Sequence, residues 1–197
     1  IISLSKIEKN ENMFRFSDKE VKERIKENPY IKSVIIKRNI PDEINLVVEE
    51  RTIDYMLEHG SSYAYIDNQG YILEISVNGK ENIPKISGYQ TSQDIIIPGN
   101  RLCTDDLKKL NTVMKIMSVA KNNEIDKLIT TIDIQDENNY TIYMEGEQKY
   151  AYLGDCTSLD TSMLYVKVMI EKEKNHAGEI FVNMDLNEKN PFFREKV

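Results

Sequence analysis

The sequence is short of the residues on which most site chemistry depends. Its 197 residues include no tryptophan, two histidines, two cysteines, five prolines and eight glycines. Cys103 and Cys156 lie too far apart for any zinc or redox spacing, so either two unpaired thiols or one disulfide fits. The glycines fall singly at turns, which excludes a glycine-rich phosphate loop. No serine sits in a nucleophile elbow. His59 and His176 read as exposed loop residues, with no carboxylate or cysteine cluster at ligand spacing. A basic excess is also missing. The net charge of −7 argues against nucleic acid, whose binding requires displacement of phosphate counterions. No run approaches the roughly 18 apolar residues of a membrane span. These absences point away from an enzyme and imply no cofactor or metal.

The residues that are present describe an ordinary globular chain with 40% hydrophobic and 30% charged residues. Its charge is uneven. Residues 1–51 hold eleven basic and ten acidic side chains, whereas the remainder is at −8, which suggests two units. Ser17 with Glu20 forms a capping-box pattern and Phe16 with Val21 a hydrophobic staple, so a helix should start at Asp18 and stop before Pro29. "YIKSVIIKR" and "EINLVVEE" read as paired strands joined by a turn at Pro41, with Ile44, Leu46 and Val48 on one face. Lys32, Lys37 and Arg38 are placed to face Glu49 and Glu50 across the pair. "IDYMLE", "SYAYID" and "YILEI" continue as strands.

"NGKENIPKISGYQ" is the best candidate for a boundary, dividing the chain into 1–77 and 78–197 and predicting proteolytic cleavage within 78–95. Beyond it, Thr104 is the expected cap of a helix burying Leu107, Leu110, Met114, Met117 and Ala120. A strand meander, a second amphipathic helix over "LDTSMLYVKVMIEKEKN" and a last strand "GEIFVNMDL" follow. The class is α+β: helices packed on a small sheet, then a β-sheet domain with two helices.

From "IISLS" to "GYIL" the chain resembles the POTRA (polypeptide-transport-associated) domain of the FtsQ/DivIB family of bacterial cell-division proteins. The resemblance rests on Asn12 and Phe14, on Asn28-Pro29-Tyr30-Ile31-Lys32-Ser33, and on Arg38, Pro41, Glu50-Arg51, Ile66-Asp67 and Gly70 in order. "IPKISGY", "LGDCTSLDTSML" and "GEIFVNMDLNEKNPFFR" are similar to the family's second, β-rich domain. The resemblance implies a non-catalytic scaffold of the division complex. Its expected partners are the extracellular segments of FtsL-like and DivIC/FtsB-like membrane proteins, and a septal penicillin-binding protein. It implies the ectodomain of a single-pass membrane protein at the septum, with the anchoring helix and first strand upstream; restoring them should raise the thermal midpoint. A POTRA-type chaperone or secretion module binding polypeptide strands is the alternative.

In "EIFVNMDL", Ile180, Val182, Met184 and Leu186 alternate with Phe181, Asn183 and Asp185. Phe181 on the polar face admits two readings: a covered or incidentally exposed aromatic, or an edge strand that accepts a partner by β-addition. The candidate partner-binding set is Ile180, Phe181, Val182, Asn183, Met184 and Asp185, with Phe192 and Phe193 from the tail. Asn28, Pro29, Tyr30, Arg38, Pro41, Glu50, Arg51, Asp67 and Gly70 are expected to be scaffold.

Overall fold

The computed structural model describes residues 1–8, 12, 14–186 and 188–196. The N-terminal part contains helices α1 (Ile2–Ser5) and α2 (Asp18–Lys26) and antiparallel strands β1 (Ile31–Asn39) and β2 (Glu43–Glu50). Helix α2 follows an extended Ser17, with Asp18 and Glu20 in its first turn and Arg24 and Lys26 in its last, as the helix dipole favours. The Ser17 side chain makes no cap bond, so the reciprocal capping box is not formed. Beyond the helix, Asn28 Oδ1 accepts the Tyr30 N–H at 3.0 Å and turns the chain into β1. Val21 and Ile25 are buried against Ile31 and Val34, with Phe16, Leu46 and Val48 packed at the margin.

The pairing corrects one electrostatic expectation. Lys32 reaches Glu49 at 2.7 Å. Lys37 instead lies opposite Asn45 and Arg38 opposite Ile44, too far along the ladder for Glu49 or Glu50. Arg38 turns to α2 and binds Asp18 at 2.5 Å.

Among the described residues, the second part is a nine-stranded mixed sheet in the order β11-β10-β9-β8-β7-β6-β3-β4-β5. Its strands are β3 (Tyr55–His59), β4 (Ser62–Ile66), β5 (Ile72–Ser76), β6 (Lys85–Ser87), β7 (Thr131–Asp133), β8 (Tyr140–Met144), β9 (Lys149–Gly154), β10 (Gly178–Phe181) and β11 (Phe192–Glu195). Strands β3 to β5 thus belong to the large sheet. The sheets and their cores part at residues 51–54, and the 77/78 division falls inside the second sheet. The physical reason is that β6 adds parallel to β3, with Met56 opposite Lys85 and Leu57 opposite Ile86, a long-range association that no local pattern announces.

Helix α3 (Thr104–Asn122) crosses from β6 to its parallel neighbour β7, and α4 (Leu159–Lys172) crosses from β9 to its parallel neighbour β10. Strands β7 and β9 flank β8, each antiparallel to it, so they run the same way. Both crossovers therefore step in the same direction with the same strand sense. Right-handed connections of that kind place both helices on one face. There Leu57, Ile86, Ile132, Ile142, Ala151 and Ile180 pack with Leu110, Val113, Ile116 and Ala120 of α3 and Met163 and Val166 of α4.

Helix α3 departs from expectation in two ways. Cys103 occupies the cap position and Thr104 is the first helical residue. The helix start is held by the loop before it, where Asp106, fully buried, accepts the Gln90 N–H, the Thr91 N–H and the Thr91 hydroxyl, while Thr91 Oγ1 accepts the Cys103 N–H at 2.9 Å. That anchor rotates the buried stripe onto Leu110, Val113, Ile116 and Ala120. Met114 is exposed, and Leu107 and Met117 are only partly buried.

Candidate functional site

With both helices on one face, the other face of the sheet carries the alternate side chains. Across β3, β6 and β7 these are polar pairs, such as Lys85 with Glu58 at 2.7 Å and Ser87 with Asp133 at 2.9 Å. Across β8 to β11 they are aromatic. The register sets Tyr143 opposite Tyr150, Tyr152 opposite Phe181, and Phe181 opposite Phe192. Tyr143 and Tyr150 stack at 4.3 Å between ring centroids, Tyr152 and Phe181 at 4.9 Å, and Phe181 and Phe192 at 4.7 Å. Rings stacked face to face across adjacent strands stand up from the sheet and offer edges, not faces, to solvent. A flat platform for stacking a sugar or base is therefore not what this row provides. It is a ridge that leads to the sheet margin.

Charge locks the outer end of the ridge. Arg194 lies over the Phe181 ring at 4.9 Å and donates through Nε to Glu179 Oε2 at 2.8 Å, while the Tyr152 hydroxyl donates to Glu179 Oε1 at 3.0 Å. The Arg194 guanidinium, and then the Tyr152 hydroxyl, hold the Glu179 carboxyl below its usual range. Burial, followed by the bond to Glu179, pushes the Tyr152 hydroxyl up.

The margin itself is β11, which overturns the assignment of β10 as the edge. Strand β10 ends at Phe181 and is flanked on both sides, by β9 in parallel and by β11 antiparallel. The segment read as a tail supplies the true edge. Lys196 N–H donates to Ala177 at 2.9 Å, one step beyond the Gly178–Glu195 pair. Antiparallel alternation then turns the Phe192 and Arg194 N–H groups toward β10 and those of Phe193 and Glu195 outward. Gly178 is required for this closure, because a Cβ there would run into the Phe193 ring and the Arg194 carbonyl.

The structure separates the candidate residues. Ile180 and Val182 are core. Phe181 and Phe192 share the ridge, and Phe193 packs inward. Asn183 is exposed and donates to Asn139 Oδ1 at 3.1 Å; Met184 is half-buried and Asp185 exposed, both beyond the strand. Tyr143, Tyr150, Tyr152, Glu179 and Arg194 belong to the site and were missed. Alternation marks each as outward, but only the register shows that they align.

Of the expected scaffold residues, Arg38 is on Asp18, Pro41 follows a cis bond in the β1–β2 turn, and Glu50 pairs with Ile31. Asn28 holds the turn into β1, Pro29 lies by Gly99, Tyr30 faces Glu74, Arg51 pairs with Asp67, and Gly70 lies in the turn after Asp67 against α3.

Among the described residues, no three histidine, cysteine or carboxylate side chains are grouped to hold a metal. His59 is half-buried at the end of β3, and His176 lies 3.6 Å from Glu195. Both thiols are free and half-buried, and burial pushes that of Cys156 up to about 12.

A small helix-and-hairpin unit is followed by a mixed sheet, and family comparison divides the chain at the same place and makes it a POTRA-bearing protein. Residues 1–51 match the POTRA domain, FtsQ-type, and residues 55–179 match the model described as FtsQ/DivIB, C-terminal related. The second match covers more than half of the sequence, and the chain belongs to the FtsQ/DivIB family of cell division proteins. It is 29% identical over 151 residues to cell division protein DivIB of Clostridium acetobutylicum, covering 74% of this chain and 57% of the relative. With DivIB of Clostridium tetani the identity is 28% over 192 residues, 93% of this chain and 69% of the relative. With DivIB of Staphylococcus aureus it is 26% over 170 residues, 82% and 38% respectively. The chain thus corresponds to between about half and two thirds of the length of the clostridial relatives. Among the described residues no helix is long and apolar enough to cross a membrane.

Proposed function

We propose that this chain is a non-catalytic scaffold of the division complex, working on the outer face of the bacterial membrane at the septum. Its sheet margin binds extended segments of FtsL-like and DivIC/FtsB-like partners, and it brings a septal penicillin-binding protein into the same assembly. Family membership supports the division role. The observation that carries the binding mode is the outer side of β11, the last strand of the sheet among the described residues, where outward backbone groups border an aromatic ridge. A partner strand added there gains main-chain hydrogen bonds, while Phe192 and Phe181 read its side chains.

The test is Glu195→Pro. Proline removes an outward N–H without touching the bonds that hold β11 to β10. Binding of a synthetic DivIC/FtsB-like extracellular segment, measured by calorimetry, should weaken roughly tenfold or more, about 1.4 kcal/mol. The melting temperature should stay unchanged. Full affinity in this variant would remove the partner from β11. Phe181→Ser, which takes one ring from the ridge, should weaken the same interaction without unfolding the sheet.

A further inference from the structure

We propose that Arg51 and Asp67 form a latch that fixes the N-terminal unit in one orientation on the nine-stranded sheet. The inference is independent of any partner. Residues 51–54 are a short link outside helix and strand between two cores that, among the described residues, share no side chain, and such links ordinarily leave two units free to reorient. Here the link is bolted at its first residue.

Arg51 belongs by its backbone to the first unit, since its N–H donates to the Tyr30 carbonyl at 2.7 Å. Its guanidinium belongs to the second. Nη1 donates to Asp67 Oδ2 at 2.5 Å and to Gln69 Oε1 at 2.9 Å, and the group lies 3.7 Å from the centroid of the Tyr71 ring. The two charged side chains are only 9% and 4% exposed.

Asp67 is itself immobilised. Its Oδ1 accepts the Gln69 N–H at 3.0 Å and the Tyr71 N–H at 2.8 Å. Gly70 completes this turn at φ +77°, and a Cβ on it would lie 2.5 Å from Leu107, so the turn rests directly on α3. Arg101 stacks on Tyr71 at 5.2 Å and donates to the Gln69 carbonyl at 2.8 Å. One end of the latch is therefore tied to the helix layer of the sheet.

A second point of contact lies beside it. The Tyr30 hydroxyl faces the Glu74 carboxylate of β5; burial, and then that carboxylate, push the hydroxyl up to about 12. Two separated contacts remove rotation about either one.

A desolvated ion pair contributes little net stability but is strongly selective for geometry. Any tilt that parts the two charges leaves both unpaired in a low-dielectric site. A planar guanidinium that must satisfy a carboxylate, an amide oxygen and a ring face at once has few orientations available. The latch accordingly sets the angle between the units, and neither fold depends on it.

The test is the double variant Arg51→Met/Asp67→Asn in the whole chain, studied by residual dipolar couplings. Asparagine keeps the oxygen that accepts the Gln69 and Tyr71 N–H groups, so no buried charge is left behind. In the unaltered protein, amides of the β1–β2 hairpin and of the nine-stranded sheet should fit one alignment tensor. In the variant each unit should still fit its own internal geometry. The two tensors should separate, and that of the smaller unit should fall by roughly half or more, as expected of units free to reorient. A shared tensor in the variant overturns the proposal. So does loss of the hairpin's own fit, because the latch would then be part of the fold.

Discussion

The two sheets meet the same requirement with very different means. The hairpin unit buries Val21, Ile25, Ile31 and Val34 between one helix and two strands, and leaves Ile35 and Val47 exposed on its outer face. The large sheet buries a continuous layer from Tyr55 to Val182 under two helices. A small core has little reserve, since stability is a narrow difference between burial and chain entropy. The comparison teaches that the first unit owes its placement to polar contacts at its border, whereas the second owes its shape to its own interior.

Core truncation gives the sharpest contrast. Ile25→Ala should cost about 2–5 kcal/mol and melt the hairpin unit, with amides of α2, β1 and β2 losing protection from hydrogen exchange. Ile142→Ala, at a similar cost, should lower the midpoint of the large sheet and leave it folded. A single cooperative loss of both units in the first variant would break the comparison.

A smaller effect is expected at the margin of the large sheet. Gly178→Ala should cost about 1–3 kcal/mol, because the added methyl meets Phe193 and the neighbouring backbone. Exchange protection should fall in β11 and β10 before it falls in β8. Uniform loss across the sheet would show that β11 is integral and not a detachable edge.

The pH dependence should be smaller still, and its sign differs between groups. The Glu74 carboxyl is held below its ordinary value by Lys80 and then Tyr30, and that of Glu179 by Arg194 and then Tyr152. A depressed carboxyl contributes stability that is complete above its unfolded pKa and lost as pH falls through the lower folded value. Asp54 behaves oppositely. Burial raises its pKa, so its ionisation opposes folding at neutral pH and the cost lifts as pH falls. Asp54→Asn should therefore raise the melting temperature at neutral pH and have little effect in acid. An equal effect at both pH values would mean that the carboxylate charge is not the cause.

Local chemistry was legible wherever it was self-contained. Pro29 ends α2, Ile44, Leu46 and Val48 share the inward face of β2, and "SYAYID" pairs with its neighbour as a hairpin. Local signals did not suffice where a distant segment intervened. Thr91 and Asp106 moved the start of α3 and turned its stripe away from Met114. Strand β11 came from residues without alternation strong enough to separate them from a tail.

By itself, the sequence determined the α+β class, the types of most elements and the inward side of β2 and β10, because periods of 2 and 3.6 are properties of the local backbone. Order and spacing of its motif residues also determined the family. Tertiary structure alone decided that both helices cover one face, that β11 is the margin, and that Tyr152, Phe181 and Phe192 form one row. It alone brought Arg51 to Asp67 at 2.5 Å. Such meetings depend on which strands become neighbours and in what register, and that choice is made by packing between residues far apart in the chain.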